Sequence, residues 1–235
     1  MAQQFRLDLG AAVRRFIVVE GLIGVGKSSL CRLLRDRWGA RLVLEPAEDN
    51  PFLALFYEDK GRYAFPVQMF YLVNRWRQQE GVRQGELFSE LVVSDYVFEK
   101  DRLFAEMTLD EMELDLYDRF AGALGESAPV PDLFIWLDAP TEVLMERIHR
   151  RQAPNEHLIE ASYLEELRGR YKKLLAGWTA CPILEIDNTD VNYVDDPEAM
   201  EQVLARIEAV LAGTERGASG FEDVPLGQTN LFTTS

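Results

Sequence analysis

The chain has 235 residues, of which 47% are hydrophobic, and it carries a formal net charge of −15 at pH 7. This length and hydrophobic fraction are enough for one α/β domain with a sizeable core. So acidic a chain is not expected to bind DNA or RNA, which requires clustered Lys and Arg, or to bind anionic membranes.

The N-terminal segment contains Arg6, Arg14 and Arg15 but no long apolar run, so no secretory signal is expected. No apolar stretch approaches the ~20 residues that a membrane-spanning helix needs. Cys31 and Cys181 lie far apart and lack the spacing of zinc ligands, and they are interpreted as small hydrophobic residues of the interior. A cytoplasmic location is the expectation.

The first predicted strand leads into a glycine-rich segment. The apolar run Phe16–Val19 precedes a sequence that fits Gly-x-x-x-x-Gly-Lys-Ser, and an amphipathic stretch follows it. A strand, a glycine-rich loop and a helix in this order are typical of a P-loop, whose backbone N–H groups hold phosphate oxygens. Lys27 is predicted to contact the outer phosphates, and the hydroxyl of Ser28 to bind Mg²⁺. The predicted nucleotide-binding residues are Gly21, Leu22, Ile23, Gly24, Val25, Gly26, Lys27, Ser28 and Ser29.

Strands and helices are predicted to alternate along the chain. Short apolar runs predict buried strands at 16–20, 41–45, 91–95, 132–138 and 182–187. Helical patterns predict helices at 27–38, 64–84, 109–124, 141–151, 162–178 and 197–211. This order predicts a parallel sheet of about five strands with helices on both faces. Ligands of such sheets bind at the carboxyl ends of the strands, where this chain has Glu20, Glu45, Asp95, Asp138 and Asp187.

Two segments depart from this alternation. Residues 147–162 contain a basic cluster and a proline, and are interpreted as a flap that joins two helices. Residues 214–235 are rich in Gly, Thr and Ser without any period, which predicts a disordered tail. The remaining residues, 1–213, are predicted to form a single domain.

A P-loop does not specify the reaction. The Asn-Lys-x-Asp segment of GTPases and the Leu-Ser-Gly-Gly-Gln segment of ABC-type ATPases are both absent from the sequence, which leaves a small kinase. An acceptor hydroxyl needs a base directed at it, and Glu45 at the end of the second predicted strand is a candidate. On position alone, a solvated strand-end glutamate is an equally good interpretation.

Several further segments resemble the deoxynucleoside kinases, and the bacterial deoxyguanosine and deoxyadenosine kinases in particular. The resemblance covers residues 15–211, approximately, and implies a three-layer P-loop kinase fold with a lid. The segments that carry it are Leu44-Glu45-Pro46, Asp49-Asn50-Pro51-Phe52, Phe56-Tyr57, residues 65–72, Ser94-Asp95-Tyr96, Phe104-Ala105-Glu106, residues 132–137, Arg147-Ile148 and residues 162–165.

The resemblance also implies an activity, the transfer of a phosphoryl group from ATP–Mg²⁺ to the 5′-hydroxyl of a deoxynucleoside. It favours a purine as the base of that deoxynucleoside. It implies that Glu45 accepts the hydroxyl proton. The other implied roles are contacts with the 3′-hydroxyl for Tyr57 and Glu156, with the base for Gln68, Arg75 and Phe104, and with the ATP phosphates for Arg147 and Arg151.

The residues themselves are compatible with these roles but allow alternatives. Gln68 and Arg75 share one face of a predicted helix, and a side-chain amide suits a nucleobase edge. Without the resemblance, a solvated stripe on an amphipathic helix would be favoured. Arg147 and Arg151 suit phosphoryl oxygens, although a basic helix end is also favoured by the helix dipole alone.

The chain departs from the family at two places. Many members have an Arg at the end of the third strand, where this chain has Asp95, which is predicted to orient Mg²⁺ through water. Lys100, one turn further on, is a candidate for the missing positive charge. The lid of the family usually reads Arg-Gly-Arg, whereas this chain has Arg151-Gln152-Ala153.

Two other functions remain open from the sequence. A monophosphate kinase of the thymidylate-kinase type would have to hold an acceptor phosphate, which Glu45 would repel and Arg75 and Lys100 would attract. A kinase-like fold retained as a binding or structural subunit is the third interpretation. Members of the family are mostly homodimers through two long helices, and the predicted helices 64–84 and 109–124 are the candidates for this interface.

Overall fold

The computed structural model describes residues 15–45, 50–83, 91–125, 128–153, 156–190, 193 and 196–213. The predicted tail at 214–235 lies outside these ranges, as do Arg6 and Arg14. Within the described residues, no helix combines the length and the apolar character needed to cross a membrane.

The described elements follow the predicted alternation. The strands are β1 (Arg15–Gly21), β2 (Arg41–Val43), β3 (Leu91–Ser94), β4 (Leu133–Asp138) and β5 (Ile183–Asp187). The helices are α1 (Lys27–Trp38), α2 (Leu53–Glu58), α3 (Lys60–Arg83), α4 (Lys100–Thr108), α5 (Glu111–Gly125), α6 (Thr141–Arg151), α7 (Ala161–Ala176) and α8 (Pro197–Leu211). A short 3₁₀ turn spans Glu156–Leu158.

The five strands form one sheet in the order β2-β3-β1-β4-β5. β1 pairs in parallel with β3 and β4, and β4 pairs in parallel with β5. β4 is buried along its whole length, as expected for the centre of a parallel sheet. The predicted α/β fold is confirmed. β2 is shorter than predicted, so that Glu45 follows the strand instead of ending it.

α2 and α4 were missed by the sequence analysis. α2 has only six residues and no buried side chain, so its sequence carries no amphipathic period. α4 buries Lys100 and Asp101 beside Leu103 and Ala105. Because half of these buried residues are charged, the buried face of α4 does not read as apolar.

The described residues group into two compact units. The first takes its residues from Met1–Leu42, Glu90–Asp95 and Val130–Ser235, and it contains the central strands, the P-loop and α6 to α8. The second takes its residues from Val43–Ser89 and Tyr96–Pro129 and contains α2 to α5. The assignment of 1–213 to a single domain stays a prediction.

Each unit is stabilised by its own interior. In the first, Arg168 forms a buried ion pair with Asp138 at the end of β4 and donates a hydrogen bond of 2.9 Å to the carbonyl of Ala139. In the second, α3, α4 and α5 pack around Leu72, Phe98, Ala105 and Tyr117.

Gly21 is required where β1 enters the P-loop. Its φ is +150°, and a Cβ atom there would lie 2.3 Å from the carbonyl oxygen of Leu137. We expect Gly21→Ala to lower the free energy of unfolding by about 2–5 kcal/mol, because backbone strain adds to the steric overlap. Gly39→Ala is the control, since φ is +71° there but nothing lies within 4 Å, and we expect a loss of about 1–2 kcal/mol. Urea unfolding measures both losses, and equal losses would contradict the steric argument.

Candidate active site

The P-loop has the backbone that anion binding requires. Gly24 and Gly26 adopt φ values of +84° and +104°, which side chains disfavour, and α1 begins directly afterwards at Lys27. The N–H groups of Ser29 and Leu30 both donate to the carbonyl of Gly26 at 3.1 Å, which fixes the first turn of α1. The start of a helix carries positive partial charge, and this turn bears no acidic side chain to offset it.

The side chain of Lys27 folds back over the loop. Its Nζ donates hydrogen bonds of 2.8 Å to the carbonyl of Gly21 and 3.1 Å to the carbonyl of Leu22. These contacts hold the ammonium group at the loop, directly before the start of α1. The loop therefore combines a cation with backbone donors, which is the combination that phosphate oxygens prefer.

Ser28 and Asp95 provide a pair of oxygen ligands beside the loop. The hydroxyl of Ser28 donates a hydrogen bond of 3.0 Å to Oδ2 of Asp95, which is buried. Mg²⁺ in kinase sites is usually held by one or two protein oxygens together with water and substrate phosphates. The described residues contain no cluster of three or more His, Cys, Asp and Glu that could hold a metal alone. Ser28 and Asp95 thus fit a magnesium ion that is shared with phosphates.

The loop after β5 contacts the P-loop, which the sequence analysis did not predict. The amide Nδ2 of Asn188 donates to the carbonyl of Val25, and the hydroxyl of Tyr193 donates to the carbonyl of Gly26 at 3.2 Å. Burial raises the pKa of Tyr193 far above its ordinary value, so its hydroxyl keeps its proton. No sequence motif marks these two residues, because their contacts depend on β5 lying two strands from β1.

The two flap arginines differ in their surroundings. The guanidinium of Arg147 donates to the carbonyls of Asn188 at 2.8 Å and of Thr189 at 3.0 Å, which joins it to the loop that contacts the P-loop. Arg151 is exposed and forms an ion pair with Glu156. The structure therefore brings Glu156 to Arg151, while its contact with the sugar hydroxyl stays a prediction.

α6 ends in an unusual conformation at the second departure from the family. Gln152 caps the helix with φ of +51°, in the left-handed region where glycine is the common residue. By the resemblance, Gln152 takes the place of the glycine in the lid segment Arg-Gly-Arg, and glycine adopts this conformation without strain. Ala153 follows without a charged group.

Not every acidic residue at the strand ends belongs to a site. Glu20 is buried and accepts hydrogen bonds from the hydroxyl of Tyr171 at 2.9 Å and from the N–H of Gly21 at 3.2 Å. Asp138 is committed to the ion pair with Arg168. Burial raises the pKa of Asp138, and the charge of Arg168 opposes that rise. These two carboxyl groups brace the first unit.

In the second unit, Glu45 is held by two cations. One carboxylate oxygen pairs with the guanidinium of Arg75, and the other lies 3.0 Å from Nζ of Lys100. Burial by itself would raise the pKa of Glu45, but the charges of Arg75 and Lys100 outweigh it and hold that pKa well below its usual value. Glu45 is therefore ionised at neutral pH, with both oxygens directed by hydrogen bonds.

Arg75 connects Glu45 to a residue that the sequence analysis missed. The same guanidinium pairs with Asp101, which is buried, and lies over the ring of Tyr71, with Cζ 5.1 Å from its centroid. Two carboxylates thus face two cations, so the formal charges of the cluster of Glu45, Asp101, Arg75 and Lys100 cancel. Asp101 follows Lys100 directly, but its role emerges only from the packing of α4 on α3.

Tyr71 lies against Arg75 of the Glu45 cluster. Burial, and then the charge of Glu45, raise the pKa of Tyr71 to about 12, and its hydroxyl is hydrogen-bonded to the side chain of Asn50. Tyr71 therefore keeps its hydroxyl proton at neutral pH. Tyr57 lies on α2 and packs edge-on against Phe56, with the ring centroids 5.5 Å apart. Tyr71 belongs to the same motif as Gln68, which was the signal that could have identified it.

Gln68 forms the second polar contact between α3 and α4. Its side chain is 4% exposed, and its Nε2 donates a hydrogen bond of 3.0 Å to the hydroxyl of Thr108. Phe104 lies one turn before Thr108, with Nζ of Lys100 5.8 Å from its ring centroid. Lys100, Phe104 and Thr108 are spaced four residues apart, which places them on one face of α4.

The two helices are antiparallel along this face. Gln68 contacts Thr108, and Arg75, seven residues later, contacts Asp101, seven residues earlier. Seven helical residues span about 10 Å, so this distance separates the amide of Gln68 from the Arg75–Glu45 pair along the helix axes. Phe104 lies between the two ends. The residues predicted to bind the nucleobase thus lie along the contact between α3 and α4, and Glu45, the predicted proton acceptor, lies at its Arg75 end.

Comparison with known proteins decides the family. The sequence model of the family described as deoxynucleoside kinase matches residues 17–212. A deoxyguanosine kinase of Bacillus subtilis (strain 168) is 32% identical over 201 residues, which cover 83% of this chain and 97% of the relative. This chain belongs to the deoxynucleoside kinase family. It is therefore an enzyme, a kinase that phosphorylates a deoxynucleoside, as the sequence predicted.

Further comparisons agree with the assignment of this kinase. A deoxyadenosine/deoxycytidine kinase of the same Bacillus strain is 30% identical over 207 residues, covering 85% of this chain and 94% of the relative. A solved structure of a deoxyadenosine kinase from M. mycoides with bound dCTP matches with a TM-score of 0.70 and covers 83% of this chain and all of that chain. Its sequence is 22% identical, so it supports the fold alone.

Proposed function

We propose that this kinase transfers the γ-phosphoryl group of ATP to the 5′-hydroxyl of a purine deoxynucleoside. The observation that carries this proposal is the Glu45 carboxylate, ionised and directed by Arg75 and Lys100. The purine preference rests on the relatives, which include deoxyguanosine kinases and a deoxyadenosine/deoxycytidine kinase.

The first unit is assigned to the phosphoryl donor. The N–H groups of the P-loop and Nζ of Lys27 bind the phosphates, and Arg147 adds charge that stabilises the transferring group. Arg151, which is exposed, adds charge once it exchanges its ion pair with Glu156 for a phosphate oxygen. Ser28 and Asp95 would hold Mg²⁺, which when bound neutralises part of the charge that develops on the phosphate oxygens. The short distance between the Ser28 hydroxyl and Asp95 supports this assignment.

The second unit is assigned to the acceptor. Glu45 accepts the proton of the 5′-hydroxyl, and Tyr57 binds the 3′-hydroxyl. Gln68 hydrogen-bonds the base edge, Phe104 packs on its face, and Arg75 lies near the same base. The antiparallel pairing of α3 and α4 supports this division, because it keeps the base-binding end about 10 Å from the Glu45 cluster.

Glu45 is a weak base with its pKa depressed by two cations, and this suits the reaction. In a loose phosphoryl-transfer transition state, the attacking oxygen forms little bond to phosphorus before the leaving group departs. The hydroxyl therefore becomes strongly acidic only late in the reaction, when even a weak carboxylate base accepts its proton. Until then, Glu45 orients the hydroxyl through a hydrogen bond.

A monophosphate acceptor is disfavoured. Such an acceptor needs an uncompensated cation, and Arg75 and Lys100 are already paired with Glu45 and Asp101. An additional phosphate beside this neutral cluster would lie next to two carboxylates. An uncharged deoxynucleoside meets no such repulsion.

A substrate panel tests the proposed function. The four deoxynucleosides and their monophosphates are each incubated with ATP–Mg²⁺ and the purified chain, and product formation is followed. We expect deoxyguanosine or deoxyadenosine to give the highest kcat/KM. Faster turnover of the monophosphates would replace the proposal with the thymidylate-kinase alternative.

We also propose that the kinase works in the cytoplasm as a homodimer. Both cysteines are free thiols, as a reducing compartment favours. Met112, Leu116 and Phe120 lie four residues apart on α5 and are 84%, 44% and 47% exposed. A row of apolar side chains on one helix face is the kind of surface that a second copy covers.

The dimer proposal predicts the effect of a charge on this row. We expect Leu116→Glu to shift the sedimenting species from dimer to monomer, because a dimer would bury the new carboxylate without a partner. Val130→Glu is the control, since Val130 is 64% exposed and lies outside α5. A wild-type chain that sediments as a monomer would contradict the proposal.

A further inference from the structure

Gln68 is held in one orientation by a short chain of hydrogen bonds. The hydroxyl of Thr108 donates to the carbonyl of Phe104 at 2.8 Å, and the same hydroxyl oxygen accepts from Nε2 of Gln68 at 3.0 Å. The other amide atom of Gln68, Oε1, is buried and has no hydrogen-bond partner among the described residues.

Counting protons shows why the orientation is fixed. A hydroxyl has one proton, and that of Thr108 is used by Phe104, whose carbonyl can only accept. Toward Gln68, the Thr108 oxygen therefore presents lone pairs alone, and only the NH₂ side of the amide can face it. If the amide were turned by 180°, Oε1 of Gln68 would face the lone pairs of the Thr108 oxygen, which is repulsive. The alternative is that Thr108 donates its proton to Oε1 and loses its hydrogen bond to the carbonyl of Phe104.

A fixed amide distinguishes bases that a rotating amide would accept equally. At positions 1 and 6, a 6-oxopurine presents an N–H donor and a carbonyl acceptor, and a 6-aminopurine presents an acceptor and a donor. The two patterns are reversed, so one orientation of a glutamine amide matches only one of them in a given binding pose. A glutamine that turned freely would match both.

We propose that Thr108 is a specificity-determining positioning residue, which fixes the amide of Gln68 and so makes the kinase distinguish 6-oxopurine from 6-aminopurine deoxynucleosides. The inference rests on the proposed function, in which Gln68 hydrogen-bonds the base. Thr108 acts through Gln68 and does not contact the reacting atoms.

Deoxyinosine and deoxyadenosine are the probes that isolate this effect. They differ only at positions 1 and 6 of the base, and neither carries the 2-amino group of guanine. The quantity to measure is the ratio of their kcat/KM values with ATP–Mg²⁺. Thr108→Val removes the hydroxyl and keeps the branched shape, whereas Thr108→Ser keeps the hydroxyl and is the matched control.

For the wild-type chain and Thr108→Ser, we expect one of the two nucleosides to be preferred by about ten- to a hundredfold, the discrimination that one or two hydrogen bonds supply. For Thr108→Val, we expect the ratio to fall to within about threefold of one, mainly through a gain with the poorer nucleoside. A merely structural role would lower kcat/KM for both nucleosides alike and leave their ratio unchanged.

The outcomes separate this inference from the proposed function. Phosphorylation of both nucleosides with a ratio that Thr108→Val leaves unchanged, or with a wild-type ratio near one, would overturn the role of Thr108 alone. If the wild-type chain phosphorylates no deoxynucleoside, the proposed function fails and this inference fails with it. Circular dichroism of both variants shows whether each is folded.

Discussion

Glu45→Gln is expected to lower kcat by about 10²–10⁴-fold, the span that a positioned general base contributes. Glutamine keeps the size of the side chain and one hydrogen-bond acceptor, but it cannot take up the proton of the 5′-hydroxyl. Deoxynucleoside binding, measured by calorimetry, should change much less than kcat. The charge lost beside Arg75 and Lys100 leaves these two cations partly uncompensated, so a lower free energy of unfolding is also expected.

The matched control for Glu45→Gln is Glu106→Gln. Glu106 also pairs with a cation, Arg102, but that arginine is exposed, and neither residue belongs to the Glu45 cluster. The control removes the same charge by the same chemical change and should retain wild-type kcat. A loss of less than about tenfold in kcat for Glu45→Gln would show that this carboxylate is not the base.

Lys27→Ala has the second large expected effect. Its ammonium group is held at the P-loop by the carbonyls of Gly21 and Leu22, where it can stabilise charge on the transferring phosphoryl group. We expect kcat/KM for ATP to fall by about 10²–10³-fold, as for removal of one preorganised donor to a transition-state oxygen. KM for the deoxynucleoside should stay close to its wild-type value, because the acceptor is assigned to the other unit.

Arg32→Ala is the control for Lys27→Ala. Arg32 lies on the same helix, α1, and is exposed to solvent. Its replacement removes the same charge without touching the loop, and ATP kinetics should be unaffected. ATP kinetics that remain unchanged in Lys27→Ala would remove Lys27 from the phosphate site.

The first departure from the family gains a physical interpretation from the structure. At the end of β3, where many relatives have an arginine, Asp95 accepts a hydrogen bond from Ser28. A positive charge still reaches Glu45, but it comes from Lys100 on α4. In the proposed function, Asp95 helps to hold Mg²⁺, and Lys100 provides a positive charge beside Glu45.

Local sequence patterns determined much of this protein. The P-loop was predicted from Gly21, Lys27 and Ser28 together with their flanking segments, and α1, α6 and α8 begin and end at the predicted residues. These features depend on neighbours along the chain: apolar runs, glycine torsions and helix starts. The family likewise followed from short segments at characteristic intervals, and the family match confirms it.

Only the tertiary structure decided which polar and charged groups contact one another. Asp101, Thr108, Asn188 and Tyr193 contact groups that are distant in sequence, and no local pattern distinguishes them from solvated polar residues. The antiparallel packing of α4 on α3 pairs Arg75 with Asp101 and Gln68 with Thr108. The same packing buries charged residues of α4, which is why the sequence did not predict this helix. Because such pairings result from the packing of whole helices, they become visible only when the chain is folded.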